Sequence, residues 1–245
     1  MSRNLEDYFK NYSNHPFENY QIQYRKRKVL ERLKLYNPKN ILEVGCGHSS
    51  QIFKENFFKY LKILEPSFDF YRQNLTEITN SNLQNVSIEN KYFENFENTL
   101  EIKFDLILIS SLLHEITDLE QFFLKLEKLM NENTVTHINV PNANSLHRLL
   151  AQNMGIINST KDYSQNNIRL QTKNIFDRES LTELVKKYNF KIIDEGSYFI
   201  KPFTHSQMQK IIDAGIINAE ILDGFYNLLD QYNFGSEIFI EFKKA

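Results

Sequence analysis

The chain has no tryptophan, one cysteine, five prolines and seven glycines among 245 residues. A lone cysteine rules out an intrachain disulfide and a cysteine-based zinc site. With so few glycines and prolines there is no linker-like stretch, and no internal repeat is visible. A single domain over residues 1–245 is therefore expected. The missing tryptophan goes with abundant Asn, Lys, Phe and Tyr and reads as genomic base bias rather than function. No apolar run approaches the ~18 residues that cross a bilayer. The stretch Met1-Ser2-Arg3-Asn4-Leu5-Glu6-Asp7 has no apolar signal core, so the cytoplasm is the expected compartment. An excess of one charge is also lacking. The 29 basic and 31 acidic residues leave a net charge of −2, which gives no reason to expect nucleic acid or an anionic membrane as partner. No grouping of His, Asp and Glu has metal-ligand spacing, so no metal is expected. What remains, 41% apolar and 24% charged residues, is ordinary globular composition, ample for a full core.

Periodicity gives the elements. Residues 5–36 look helical, with Val29, Leu30, Leu33 and Leu35 as an apolar stripe and Asn37-Pro38 as the stop. The run Arg25-Lys26-Arg27-Lys28 reads as a solvated helix face that could also meet an anionic substrate. Strands are expected at 40–44, 61–65, 86–89, 104–109 and 134–140, with helices over 49–59, 67–80 and 118–131 between them. The run Phe104-Asp105-Leu106-Ile107-Leu108-Ile109 is typical of a strand buried on both faces. Strand–helix alternation argues for a parallel sheet covered on both sides. The tail reads as a helix over 178–188, strands at 190–196 and 237–242, and a mainly helical segment over 204–232. That segment, with Phe203, Ile211, Ile212, Ile221, Leu222, Leu228 and Leu229, packs on the sheet by default or forms a homodimer face. The chain divides into an N-terminal helical cap (1–38), a core (39–140), an insertion over the substrate side (141–177) and C-terminal helices with a strand pair (178–245).

The most informative residues are Asn40-Ile41-Leu42-Glu43-Val44-Gly45-Cys46-Gly47-His48. A short apolar strand carries an acid and runs into two glycines, which let backbone pass close to a ligand. Glu65 ends the next strand 18 residues after Gly47, near the ~20-residue distance at which a Rossmann-like unit holds a ribose. Helix capping before Pro66 is the structural alternative for Glu65. Cys46 reads as a small residue tolerated in the turn. These residues resemble the cofactor site of class I S-adenosylmethionine-dependent methyltransferases. The resemblance implies an α/β, Rossmann-like, doubly wound and mostly parallel seven-stranded sheet, with a C-terminal antiparallel pair and helical insertions. It also implies S-adenosylmethionine as cofactor, leaving S-adenosylhomocysteine as product. Glu43 would take the ammonium end, Gly45, Cys46 and Gly47 the close approach, and Glu65 with Pro66 the ribose. Tyr92 and Phe93, after the third strand, would hold the adenine. Ser110 and Ser111, after the fourth, would line the pocket near the sulfonium.

After the fifth strand comes Asn139-Val140-Pro141-Asn142-Ala143-Asn144-Ser145-Leu146-His147-Arg148, dense in donors and acceptors. It is similar to a subgroup of class I methyltransferases associated with bacterial capsule and surface-polysaccharide biosynthesis. Met154-Gly155-Ile156-Ile157, Asn174-Ile175-Phe176-Asp177 and Phe199-Ile200-Lys201-Pro202-Phe203 extend that likeness. It implies a small acceptor such as a nucleotide-linked sugar, methylated on an oxygen. A hydroxyl acceptor needs a general base, and the candidates are His147 and His114. A phosphate-type oxygen needs none. Asn142, Asn144 and Arg148 are candidate acceptor ligands, or else turn and surface residues. His137 is expected in the core, while His15, His48 and His205 have no evident partner. Two other classes remain open. A nicotinamide-dependent oxidoreductase is disfavoured by Ser50 at the third small position of the turn and by Glu43 ahead of it. A methyltransferase fold kept as a non-catalytic binding partner is disfavoured by the intact Glu43, Gly45, Gly47 and Glu65.

Overall fold

The structure is a computed structural model that describes residues 4–13, 16–50, 52–55, 57–228 and 233–245. Two helices lead, α1 (Leu5–Ser13) and α2 (Glu18–Tyr36). The middle of the chain runs β1 (Asn40–Val44), β2 (Tyr60–Leu64), α3 (Phe68–Asn80), β3 (Val86–Glu89), β4 (Leu106–Ser110), α4 (Leu119–Leu129) and β5 (Val135–Pro141). Helices α5 (Leu146–Asn153), α6 (Gln165–Arg169) and α7 (Arg178–Lys187) follow. The tail is β6 (Phe190–Tyr198), α8 (His205–Asp213), α9 (Ala219–Asn227) and β7 (Glu237–Lys244).

The seven strands form one sheet in the order β3-β2-β1-β4-β5-β7-β6. Strands β1 to β5 pair in parallel, and β7 inserts antiparallel between β5 and β6. Strand order reverses between β1 and β4, the switch point where such sheets bind ligands beyond their carboxyl ends. At that edge Ser110 stands opposite Asn139, and Pro141 stands opposite Glu237. The start of β7 therefore joins the ends of β4 and β5.

Strand alternation sends neighbouring residues to opposite faces. Ile41, Leu61, Ile63, Leu106 and Leu108 pack against Val29 and Leu33 of α2 and Ile78 of α3. Leu42, Val44, Ile107, Ile109 and Ile138 meet Phe122, Phe123 and Leu126 of α4 and Leu181 and Val185 of α7. The apolar run of β4 is thus spent on two cores. A third cluster seats Met208 of α8 and Leu222 and Tyr226 of α9 against Tyr24, Tyr198 and Phe239. Phe203, Ile221 and Leu228 of the same segment stay 38–42% exposed, and Leu229 lies outside the described residues.

Four expectations need correction. The helix expected at 49–59 is a single 3-10 turn, Phe53–Glu55, among the described residues. Ser50 does not cap a helix, because its amide donates to Asn74 Oδ1 at 2.7 Å and its hydroxyl donates to the Glu43 carboxylate. The N-terminal helical region is two helices, α2 starting after Phe17 at φ 63; His15 lies outside the described residues. The run Arg25 to Lys28 is only half solvated. Arg25 and Lys28 are buried, the first paired with Glu18 and the second with Glu31 at 3.3 Å, over the ring of Phe239. A residue of the expected apolar stripe, Leu35, is 63% exposed instead.

Candidate active site

Two cavities open side by side at the carboxyl edge of the sheet. The first, about 1020 Å³ of space, lies over β1, β2 and β4. Gly45 and Gly47 adopt φ 75 and φ 57, the left-handed region that glycine tolerates. A Cβ on Gly45 would come within 3.1 Å of the Leu112 side chain. The turn is tied down by Glu65, whose Oε2 accepts from the Gly47 amide at 2.9 Å and whose Oε1 accepts from the Ser67 amide at 2.9 Å. Glu65 thus braces the chain entering α3, whose N-cap is Ser67, and forms a wall of the cavity. Glu43 is buried under the turn, and burial pushes its pKa up to about 7; Ser50 pulls it down and Glu65 pushes it further up. Cys46 lies against Glu65 Oε2 at 3.7 Å, and burial keeps its thiol protonated.

Of the residues predicted to hold the cofactor, Glu43, Gly45, Cys46, Gly47, Glu65, Pro66, Ser110 and Ser111 all line this cavity. Tyr92 and Phe93 do not. Tyr92 is 42% exposed, and the Phe93 ring is in the core, 4.7 Å from that of Phe122. An aromatic in this position is claimed by the apolar face under α4. The rings that do line the cavity are Phe70 of α3 and Tyr8 and Tyr12 of α1, packed edge to face on Phe70. His48 also lines it, its Nδ1 3.0 Å from Gln73 Nε2.

The second cavity, about 980 Å³, sits over β5 and the start of β7. Tyr8, Tyr12, Arg25, Ser111 and Glu115 belong to both linings. His114 lines only the second, with its Nε2 3.7 Å from the Glu115 carboxylate. Arg25 holds this wall together. It donates to Glu18 and to the Tyr12 hydroxyl, and lies 3.8 Å from Glu237. His205 continues the chain, 3.8 Å from Glu18 and 3.1 Å from Lys201 Nζ. Burial brings Lys201 down to about 7 and Glu237 up to about 7.

The predicted acceptor residues divide. His147 and Arg148 line the second cavity. His147 is a poor proton acceptor: burial, then the charges of Lys201 and Arg148, lower it to about 2. Asn142 lines the cavity too, but its amide donates to the Gly235 and Asn233 carbonyls and its Oδ1 accepts from the Asn144 amide. It pins the end of β5 to the chain before β7. Asn144 lies outside this cavity and accepts from the Thr160 hydroxyl at 2.8 Å. There its side chain ties the entry of α5 to the loop at Thr160. His137 is buried as expected, its Nδ1 2.8 Å from Glu241. Sequence reasoning missed Tyr8, Tyr12, Lys201, His205 and Glu237. The signal for Lys201 was a lone charge inside Phe199-Ile200-Lys201-Pro202-Phe203, and for Glu237 an acid opening an alternating apolar strand.

A methyltransferase-domain family model matches residues 18–195. The chain belongs to the methyltransferase-domain family. Solved structures support the fold at low identity. A S-adenosylmethionine-dependent methyltransferase from Clostridium acetobutylicum aligns with TM-score 0.57 at 12% identity, over 91% of this chain and 92% of that one. The N-methyltransferase NodS from Bradyrhizobium japonicum, in complex with S-adenosylhomocysteine, gives 0.54 at 11% over 95% and 89%. The StiE O-MT gives 0.55 at 14% over 90% and 73%. No curated protein matches the sequence. The family match stops short of α1 at one end and of Lys201 and Glu237 at the other. In this methyltransferase the glycine turn and most of the second cavity's lining lie inside the matched region, while Tyr8, Tyr12, Lys201, His205, Ser236 and Glu237 come from outside it.

Proposed function

We propose that the protein transfers a methyl group from S-adenosylmethionine to an oxygen of a small polar acceptor, of the nucleotide-activated sugar or capsule-precursor class. The family and the fold support methyl transfer with this cofactor. The observation that carries the acceptor reading is the second cavity: lined mainly by residues with polar or charged side chains, adjoining the first, and sharing a wall with it. The first cavity fits the donor. Its left-handed glycines admit close approach, Glu65 lines the cavity with a carboxylate suited to ribose hydroxyls, and Glu43 offers a carboxylate toward an ammonium. When bound, the donor supplies a methyl carbon already activated by its sulfonium, so the protein's task is alignment.

For a hydroxyl acceptor, His114 is the base in this reading and Glu115 its orienting carboxylate. A carboxylate beside an imidazole stabilises the proton that the ring takes up. Both residues face the second cavity, and Glu115 sits where the two cavities meet. His147, flanked by cations, is left to bind rather than to accept a proton. The test has two stages. Calorimetry with S-adenosylhomocysteine should give one-to-one binding. Transfer from methyl-labelled donor is then screened over activated sugars, phosphorylated precursors and amines. Label on a sugar or phosphate oxygen supports the reading, and label confined to amines sinks its oxygen assignment. Binding without transfer to any acceptor leaves a non-catalytic binding protein.

A further inference from the structure

The second cavity holds two cations, a buried lysine and a half-buried arginine, that no carboxylate of the described residues pairs with directly. Lys201 is 1% exposed, and its Nζ is bonded to His205 Nδ1 at 3.1 Å. Arg148, in the first turn of α5, donates Nε to the Thr160 carbonyl at 2.7 Å and Nη2 to the Asp162 carbonyl. Its Nη1 makes no bond to a described residue. Neither cation has a carboxylate oxygen within the 4.0 Å of an ion pair, among the described residues. Buried charges are ordinarily paired or bound to a ligand. His147 lies close enough to both to feel their charge, and its Nδ1 is buried with no hydrogen-bond partner. All three side chains line the same cavity.

The carboxylates nearby are committed elsewhere. On α2, Glu18 is taken by Arg25 and the Tyr12 hydroxyl. On β7, Glu237 accepts from Gln21 at 3.4 Å and lies 3.8 Å from Arg25. Glu115 lies 3.7 Å from His114. Glu18 and Glu237 raise Lys201 and Arg25 lowers it, while burial outweighs them all. Asp162 raises Arg148, but its carboxylate accepts from the Asn158 and Ser159 amides rather than from the guanidinium.

We propose that Lys201, Arg148 and His147 form an oxyanion subsite that grips a phosphate or carboxylate group of the methyl acceptor. This deepens the acceptor-cavity reading above and rests on it. The subsite lies in the second cavity and not the first, so the anion belongs to the acceptor. An ammonium, a guanidinium N–H and an imidazole N–H together match the spread lone pairs of such a group. An acceptor with a hydroxyl to methylate and an oxyanion to hold would use His114 and this subsite at once. Anion binding also favours protonated Lys201, so it takes up a proton near neutrality.

The test is an NMR titration of the full chain, saturated with S-adenosylhomocysteine, using dimethyl phosphate and, separately, acetate. Neither probe changes charge near neutral pH. One-to-one binding of either is expected, at a site shifting His147 and α5 resonances. Preference for the phosphate diester assigns a phosphate group, and preference for acetate assigns a carboxylate. Affinity should fall about tenfold from about pH 6.5 to about pH 8.5 as Lys201 loses its proton. Lys201→Met should cost at least about tenfold. Lys201→Arg should keep binding and flatten the pH dependence, because a guanidinium stays charged. If Lys201→Met does not fold, Arg148→Gln must weaken binding in its place. No perturbation at about 100 mM probe, or unchanged affinity in these variants, overturns the subsite. If S-adenosylhomocysteine itself fails to bind, the donor reading falls, and the same titration of the unloaded protein still decides the subsite.

Discussion

At the scale of single residues, two carboxylates under the glycine turn make different predictions. Glu65 ties Gly47 to Ser67 and walls the cavity. Glu65→Ala should weaken S-adenosylhomocysteine binding by ~1–3 kcal/mol, read by calorimetry, since it removes an acceptor and leaves buried amides unpaired. Glu43 has a folded pKa of about 7, above its ordinary 4.5. The unfolded chain therefore ionises first, and this group's contribution to stability falls as pH climbs from 4.5 to about 7. A ligand ammonium reverses the preference and favours the carboxylate. Cofactor binding at about pH 6.5 should release a proton, measured as a dependence of the calorimetric heat on buffer ionisation, and Glu43→Gln should abolish the release. The two histidines separate by readout. His114→Ala should lower kcat by about 10²–10⁴ with cofactor affinity unchanged, whereas His147→Ala should raise KM for an anionic acceptor and leave kcat largely intact. The spacing of Gly45, Gly47 and Glu65 was legible in the sequence because turn chemistry and strand ends are local. The neutral state of His147 was not, because Lys201 is 54 positions away and reaches it only through the fold.

At the scale of elements, the strands of the parallel core were legible to within two residues, since β-branched and apolar runs bounded by Asn, Pro and Ser leave little choice. The segment between β1 and β2 was not. Ser49 and Ser50 are residue types that start helices, but Ser50 is held by Glu43 and Asn74, and the tertiary contacts override the local preference. Helix α1 was expected as part of a cap; its contribution of Tyr8 and Tyr12 to both cavities could not be read from periodicity. It is held by paired hydrogen bonds between Asn4 and Gln171, by Asn11 on the Arg169 carbonyl, and by rings on Phe70. Removing residues 1–13 should leave the circular-dichroism spectrum and cooperative unfolding nearly unchanged. S-adenosylhomocysteine should then bind about tenfold more weakly, or ~1.4 kcal/mol, mainly through faster dissociation.

At the scale of the whole molecule, β4 joins the two cores. Ile107 is fully buried beneath α4 and α7, while Leu106 and Leu108 face α2 and α3. Ile107→Ala should cost ~2–5 kcal/mol of unfolding free energy in denaturant titration, with a single transition retained. All seven strands form one continuous sheet. The acceptor side was the least legible, because its floor is assembled from α2, the chain after β6 and the start of β7, segments far apart in sequence. The wall common to the two cavities carries a thermodynamic obligation. Tyr8, Tyr12, Arg25, Ser111 and Glu115 cannot be rearranged by one ligand without being rearranged for the other. Whatever factor the bound cofactor adds to acceptor affinity, the bound acceptor must return to cofactor affinity in equal measure. Where that factor exceeds one, demethylated cofactor leaves more readily once the methylated acceptor has gone, and the shared partition sets the order of product release.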